Sequence, residues 1–444
     1  MSLTQKLGKR GRYAKVSFSG HGHKGYLMMI QRKGGEIADS MEWRKESVEV
    51  TLANVEPLLA RIHAIPPVDI SFTDILGIPV HLTVRTSDID AVKFRDLKEW
   101  GQLDLSYTHS GKGPTPEHSR LSCIMEAIER YSAGCHSLKD RVKIATYEEL
   151  RQDALDPRAF FLPPGVEFSP EQPLTWYQGI DLIKNEMISV PVDFILVDIP
   201  DSAYPFAGFE TKRLGFFFSN GLSAGGNLEE ALISGICEVV ERDAQYRIVN
   251  EIEPLPTELI LKGDPDFDFW QALFERNQLT LRAFFMCHVR GFYSAVVTSW
   301  DHYCRMLVIG TASDPELRVA LYRAILELIQ QRSFMFFNKW KTHREYFPIV
   351  RYIHDRVHPE SYETLVPESF WTERCPGPVA VRDAGEIHSR DLPSLLEALS
   401  PEHQVIGFDL THPKLGVPVV RVLISGMKNG YLHYNPAISF IKKD

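Results

Sequence analysis

Two segments of this chain put paired acids and a base at matching places. Ser122-x3-Glu126-x2-Glu129-Arg130 recurs as Ser234-x3-Glu238-x2-Glu241-Arg242, with the same residue types at the same offsets. A third segment keeps the rhythm and changes the chemistry, reading Arg323-x3-Glu327-x2-Gln330-x-Arg332. Spacings of three and four set the side chains of each segment on one helix face. Carboxylates one turn apart repel by roughly a few tenths of a kcal/mol, so a cation is expected between them. For a single Glu-x2-Glu-Arg the ordinary reading is a solvated pair with the arginine four residues on. The repetition and the apolar flanks, Cys123-Ile124-Met125 and Gly235-Ile236-Cys237, argue instead for mostly buried helices. Buried carboxylates require a partner, a proton or a metal.

The elements that must position these side chains also repeat. The first unit reads as a strand at Leu103–Tyr107, a glycine loop Ser110-Gly111-Lys112-Gly113-Pro114, then a helix through Ser132. The second reads as a strand at Leu214–Phe218, a loop holding Ser219-Asn220-Gly221 and Gly225-Gly226, then a helix from Glu229 to about Arg247. The third reads as a strand at Arg305–Ile309, a loop from Gly310 to Pro315, then a helix to about Phe337. Gly113 precedes Glu126 by 13 residues and Gly225 precedes Glu238 by the same 13. Gly77-Ile78-Pro79-Val80, Ser189-Val190-Pro191-Val192 and Gly416-Val417-Pro418-Val419 each read as the opening of an apolar strand, with proline at the strand start or edge.

Lys112 stands between two glycines just upstream of the first acidic helix. Backbone N–H groups of such a loop, with the lysine, can meet phosphate oxygens. Beside Glu126 and Glu129 this suits a triphosphate whose Mg²⁺ is shared between carboxylates and phosphates. The Ser219–Ser223 run is either an ordinary turn or a second ligand loop. Arg323, Gln330 and Arg332, aligned with the other two faces, are assigned to a γ-phosphate or to substrate. Cys123 and Cys237 lie on the acidic helices and read as core-facing thiols.

The chain has 444 residues, ordinary hydrophobic and charged fractions of 44% and 24%, and a formal net charge of −9. That charge argues against duplex nucleic acid as the main partner. The basic stretch Lys6–Lys15 is the local exception and reads as a solvated arm. Six cysteines without a CxxC give no zinc knuckle and suit a reducing compartment. No run approaches a membrane span, and no apolar signal core opens the chain. A cytoplasmic protein is expected. Residues 1–65 read as an N-terminal extension with one helix near residues 50–64, and 66–444 as one α/β (α+β composite) catalytic domain. Residues 140–175 read as a connection or insertion, and 255–280 and 340–385 as peripheral inserts. Gly20-His21-Gly22-His23-Lys24-Gly25 matches a dinucleotide fingerprint, but the run that follows is as strand-like as helical. A nicotinamide reading would rest on that segment alone.

Taken together, these motifs resemble the YcaO family of ATP-dependent peptide-modifying enzymes. The resemblance rests on Gly111-Lys112-Gly113, Met125–Ala133, Ser219-Asn220-Gly221-Leu222, Glu229-Glu230-Ala231, Glu238–Ala244 and Glu327-x2-Gln330-x-Arg332, in that order, and spans about residues 65–430. It implies a YcaO-type fold whose clustered glutamates hold Mg²⁺-ATP, which phosphorylates a peptide backbone amide oxygen. By resemblance Glu126, Glu129, Glu230, Glu238 and Glu241 serve the metals. Lys112, Ser119, Arg130, Ser223, Arg242, Gln330 and Arg332 lie near phosphates or adenosine, as do Ser219, Arg323 and Glu327. Glu126, Glu129, Glu238, Glu241 and Arg332 would then be catalytic.

The resemblance leaves the nucleophile open. A neighbouring Cys, Ser or Thr gives an azoline, external sulfide a thioamide, and an amine an amidine. The C-terminus, Phe440–Asp444, lacks the proline-rich tail of azoline-forming members, and Glu129-Arg130-Tyr131-Ser132-Ala133 points the same way. Both favour the TfuA-associated and methanogenesis-marker branch, which installs thioamides with a TfuA-like sulfur-delivery partner. Gly226-Asn227 stands where the family often has Asn-Thr, a departure at one usual polar ligand. Azoline cyclodehydration and a non-catalytic peptide-binding scaffold are the alternatives. A homodimer is an expectation of the resemblance alone.

Overall fold

The computed structural model describes residues 46–85, 108–134, 142–159, 162, 166–197, 214, 219–249, 252–301, 306–341, 376–385 and 388–428. Helix α1 (Val48–Val55) is capped by Ser47, whose hydroxyl accepts from the Val50 N–H, and runs into a 3₁₀ turn. Strands β1 (Val68–Asp69), β2 (Val80–Val84) and β3 (Thr108–Lys112) precede helix α2 (Pro116–Ser132). Next come β4 (Val142–Ala145), the single turn α3 (Tyr147–Leu150), β5 (Leu174–Asp181), β6 (Glu186–Pro191) and β7 (Leu222–Ala224). Helix α4 (Leu228–Val249), β8 (Thr257–Ile260), α5 (Asp268–Arg276), β9 (Arg282–Met286), β10 (Tyr293–Asp301) and β11 (Met306–Asp314) lead to α6 (Leu317–Lys341). After that helix lie β12 (Val379–Ala380), α7 (Leu392–Leu399), β13 (Val405–Asp409) and β14 (Val419–Ile424).

The strands form three sheets: β1-β2-β3, β11-β10-β9-β8-β12, and β4-β5-β13-β14-β7 with β6 against β5. Neighbours are antiparallel except β12 and β8, which run parallel. Each long helix packs on the strand that precedes it and reaches the strand of the next unit. Helix α2 lies on β3 and touches β7; α4 lies on β7 and touches β11; α6 lies on β11 and touches β3. The contacts close a ring of three units. This is the physical content of the sequence repeat, since each helix has two sheets to cover.

The glycine segments differ from expectation. Gly111 and Gly310 sit inside strands β3 and β11, not in loops. A Cβ on Gly111 would overlap the backbone of Ser119 and Cys123, and one on Gly310 would overlap that of Ala324 and Leu328. Glycine here lets a strand lie directly against the next helix.

Three other readings change. Ser189–Val192 closes β6 and turns into a 3₁₀ segment, whereas Gly77–Val80 and Gly416–Val419 lead into β2 and β14. Residues 255–280 are not peripheral: they supply β8 and α5, and Trp270 and Phe274 are fully buried in the largest core cluster. Within 140–175, β4 pairs with β5, so this stretch belongs to a sheet. Residues of α1 and its 3₁₀ turn, Val48, Val55, Leu59 and Ile62, share one core with Ile124, Ala127 and Ile128 of α2. The strands expected at Leu103–Tyr107 and Gly215–Phe218, the segment Gly20–Gly25, the basic stretch Lys6–Lys15, residues 342–375 and the C-terminal Phe440–Asp444 lie outside the described residues. Among the described residues, no helix is long and apolar enough to cross a membrane.

Candidate active site

The ring encloses a cleft of about 540 Å³. Its wall takes Glu126, Glu129 and Arg130 from α2, Glu230, Glu238, Glu241 and Arg242 from α4, and Arg323, Glu327 and Gln330 from α6. Strand β3 adds Ser110 and Lys112, and the β7 region adds Ser219 and Ser223. Thirteen residues expected from sequence to act on metal, nucleotide or substrate therefore share one wall: Lys112, Glu126, Glu129, Arg130, Ser219, Ser223, Glu230, Glu238, Glu241, Arg242, Arg323, Glu327 and Gln330.

Two do not reach it. Arg332 was placed with Glu327 and Gln330, but it is buried on the other side of α6. Its guanidinium bonds Asp74 at 3.0 Å and Asp301 at 3.2 Å. The reason is helical phase: nine residues from Arg323 is two and a half turns, which points Arg332 away from the cleft. Ser119 is also fully buried, its hydroxyl 2.5 Å from His81 Nδ1, because the close-packed β3 covers the first turns of α2.

The acids are held in distinct ways. Arg130 stands 3.8 Å from Glu126 and 3.6 Å from Glu129, and Arg242 stands 3.8 Å from Glu238 and 3.9 Å from Glu241. These arginines sit between the paired acids, as the repulsion argument requires. The Ser110 N–H donates to Glu126, and the Thr311 hydroxyl donates to Glu241 at 2.7 Å. Glu230 is tied into the start of α4: its carboxylate accepts from the Gly226 N–H and the Asn227 amide, while its own N–H donates to Asn227 Oδ1. Asn227 thus caps the helix at the position where the family pattern departs.

Burial sets the proton affinities. It raises Glu126, Glu129 and Glu238 above the usual carboxylate range, most strongly Glu129, although Arg130 or Arg242 partly offsets it. Burial, aided by Glu327 and Glu238 and opposed by Arg242, pushes Glu241 up to about 7. Glu327 behaves oppositely: burial raises it, but Lys112, Arg242 and Arg323 together outweigh that and hold it below the usual range. Its carboxylate meets Lys112 Nζ at 2.8 Å. Burial pushes the Cys237 thiol to about 12 and raises Cys123 well above its ordinary value, so neither is an activated nucleophile.

Four acids disfavoured as bare carboxylates, with arginines interleaved, form a donor set that a divalent cation would relieve. Among the described residues, no three ligating side chains converge closely enough to enclose a metal unaided. Mg²⁺ keeps several waters and is usually held by one or two carboxylates plus phosphate oxygens.

Two wall residues, His118 and Asp314, and one buried neighbour of the acids, Arg421, carried no motif. His118 lies four residues before Ser122, as Glu230 lies before Ser234, so extending the repeat backward would have found it. Asp314 ends β11 and accepts from Arg390 at 2.6 Å, with Arg323 at 3.7 Å. Arg421, buried on β14, lies in the field of Glu238, Arg130 and Glu129, and burial lowers it to about 10. Nothing in the local sequence marks Asp314 or Arg421 as a neighbour of the acids.

A family model described as YcaO cyclodehydratase, ATP- and Mg²⁺-binding, matches residues 110–428. The match takes in all of the cleft wall except Glu46, Val48 and Thr51. ATP and Mg²⁺ are thus the cofactors of the family that this segment matches. An uncharacterized protein of Methanothermobacter thermautotrophicus is 26% identical over 375 residues, covering 81% of this chain and 88% of its own length. An uncharacterized protein in the tfuA 3′ region of Rhizobium leguminosarum bv. trifolii is 24% identical over 388 residues, covering 80% and 81%. Among solved structures, YcaO from Methanopyrus kandleri bound with AMPPCP and Mg²⁺ superposes with a TM-score of 0.64 at 23% identity, covering 89% of this chain and 94% of that one. This last likeness establishes the fold.

Proposed function

This chain belongs to the YcaO family, and on that premise we propose that its cleft activates a backbone amide of a peptide or protein with ATP and Mg²⁺, after which sulfide replaces the amide oxygen. The observation that carries the reading is the meeting of two Glu-x2-Glu-Arg helices on one cleft wall with Lys112 and Arg323. Bound Mg²⁺-ATP supplies the phosphoryl group that lets a poor leaving group, the amide oxygen, depart as phosphate. Glu126, Glu129, Glu238 and Glu241, with Glu230 at the start of α4, would share the Mg²⁺ ions, one or two carboxylates to each. Arg130, Arg242 and Arg323 offset the charge of the phosphates. Ser219, just before β7, and Ser223, on β7, add hydroxyl groups to the facing wall. Arg332 has no part in these contacts and instead fixes the back of α6.

The atoms balance for the thioamide. The amide oxygen would take the γ-phosphoryl group with ADP leaving, hydrosulfide would add to the carbonyl carbon, the C–O bond would break with phosphate leaving, and loss of the sulfur proton would leave C=S. A TfuA-like protein is the proposed sulfur-delivery partner, supported by the relative in a tfuA 3′ region. A second reading, azoline formation by an adjacent Cys, Ser or Thr, is favoured by the cyclodehydratase description of the family.

Intact mass distinguishes them. The protein is incubated with Mg²⁺-ATP, sulfide and peptides encoded beside its gene, with and without any neighbouring TfuA-like protein. A gain of about 16 Da supports sulfur-for-oxygen exchange, and a loss of about 18 Da supports cyclodehydration. No peptide change together with saturable ATP binding would replace both with a scaffold role.

A further inference from the structure

The three units offer three equivalent stations around the cleft, and the third is built differently. Offset four from the start of each segment is an acid in all three: Glu126, Glu238 and Glu327. In the first two units a second glutamate and an arginine follow on the same helix. In the third, Gln330 replaces the second glutamate and Gln331 stands at the arginine offset, so α6 supplies no cation at that offset, and its Arg323 acts on Glu327 from the preceding turn.

The cation comes from across the ring. Lys112, on β3 of the first unit, reaches Glu327 at 2.8 Å, a full ångström closer than Arg130 to Glu126 or Arg242 to Glu238. Gln330 is occupied by the same strand: its amide donates to the Ser110 carbonyl at 2.7 Å and lies 2.9 Å from the Ser110 hydroxyl. Ser110 and Lys112 are two residues apart and project from one face of β3. At the third station Glu327 has one direct ion pair, to Lys112, with Arg242 and Arg323 acting at longer range, whereas each of the others sets two carboxylates around one guanidinium.

We propose that Lys112 is a resident cation, filling the third station so that Glu327 is withheld from metal and the number of divalent ions in the cleft is set by Lys112. This rests on the metal-binding reading of the cleft. It gives Glu327 a role different from that of Glu126 and Glu238, although all three hold the same offset. A direct ion pair at this distance occupies the carboxylate oxygen that a divalent ion would otherwise use.

The test counts Mn²⁺ by electron paramagnetic resonance of the free ion, on full-length protein with and without a non-hydrolysable ATP analogue. Lys112→Met is expected to bind one more Mn²⁺ per chain than the wild type. Lys112→Arg and the double variant Lys112→Met/Glu327→Gln are expected to return to the wild-type count. Glu327→Gln alone is expected to keep it, whereas Glu238→Gln is expected to lower it. An unchanged count in a folded Lys112→Met protein overturns the proposal, as does loss of Mn²⁺ in Glu327→Gln. If Lys112→Met fails to fold, the Glu327→Gln count decides alone. A wild type that takes up no Mn²⁺ with the nucleotide defeats the metal reading itself, a result distinct from any difference among the variants.

Discussion

Helices α2 and α4 carry the same residues at the same offsets, yet their first turns meet the cleft differently. Counting back from Ser122 and Ser234, the N-caps are Thr115 and Asn227, and the third helical positions are His118 and Glu230. Both turns are closed reciprocally. The His118 N–H donates to Thr115 Oγ1 with the imidazole 2.9 Å from that hydroxyl, and Glu230 exchanges hydrogen bonds with Asn227 at both ends. Each helix N-terminus carries a partial positive charge. In α4 an acid partly cancels it, while in α2 an imidazole stands there instead. The difference suggests a division of labour: the repeated Glu-x2-Glu-Arg faces offer the two helices the same proposed metal ligands, and the third positions of their first turns set an imidazole against an acid.

The strongest way to break this equivalence is to neutralise one acid at a time. Glu126→Gln and Glu238→Gln should each lower ATP turnover by about a hundredfold or more while leaving the melting temperature within a few degrees, since either substitution removes a carboxylate proposed to hold the Mg²⁺ that offsets the phosphate charge. Coupled-assay kinetics and thermal melts measure both. Normal turnover in either variant would mean that the repeat does not mark two equivalent metal positions. The third helix provides the contrast, because its arginine serves the fold. Arg332→Met leaves Asp74 and Asp301 buried without their cation and should cost about 3–5 kcal/mol of stability, read by denaturant unfolding. A Michaelis constant for ATP that changes in the surviving folded protein, with stability intact, would instead return Arg332 to the site.

A smaller effect comes from pH. In the folded protein Glu241 titrates at about 7, against an ordinary value of 4.5. Between those values the folded chain holds a proton that the unfolded chain has released. Stability of the metal-free protein should therefore fall as pH rises through this window and level off above it. Divalent-ion affinity should move the opposite way, rising toward pH 7 as the carboxylate becomes available. Thermal melts with and without Mn²⁺ across the window test both signs, and Glu241→Gln should flatten the two curves. Glu126, Glu129, Glu238 and Asp74 are raised by burial as well, so residual slope in that variant comes from these groups.

Much of this cleft was legible because the repeat is a matter of helical spacing. Glu126, Glu129, Glu238 and Glu241 could be placed together from their offsets, and α2, α4 and α6 end within a few residues of where the pattern stops. The same spacing, followed through, also excludes Arg332. What spacing cannot show is a neighbour brought by a sheet. Asp74 and Asp301, which claim Arg332, come from the approach to β2 and the end of β10, and Arg421 arrives on β14 from far along the chain. The glycines misled for a related reason. Their frequency before each helix suggests loops, whereas Gly111 and Gly310 are small so that a strand can lie against helix backbone.

The finest test of the comparison lies in the caps. Thr115→Ala and Asn227→Ala each remove one side chain that accepts from the third residue of its helix, and each should cost about 1 kcal/mol of stability. Their consequences in the cleft should nevertheless differ. Loss of Asn227 takes a donor from Glu230 Oε1, which sits 2.6 Å from the Asn227 amide, and leaves a wall carboxylate with more freedom to meet a cation. Loss of Thr115 alters the setting of an imidazole that opposes cations only when protonated. Calorimetric titration with Mg²⁺ and a non-hydrolysable ATP analogue should therefore show a change of a few-fold, about 0.5–1 kcal/mol, in Asn227→Ala and little change in Thr115→Ala at neutral pH. Equal shifts in the two proteins would show that the caps act only through helix stability, and the difference between the two ends of the cleft would then rest on the charge of Glu230 alone.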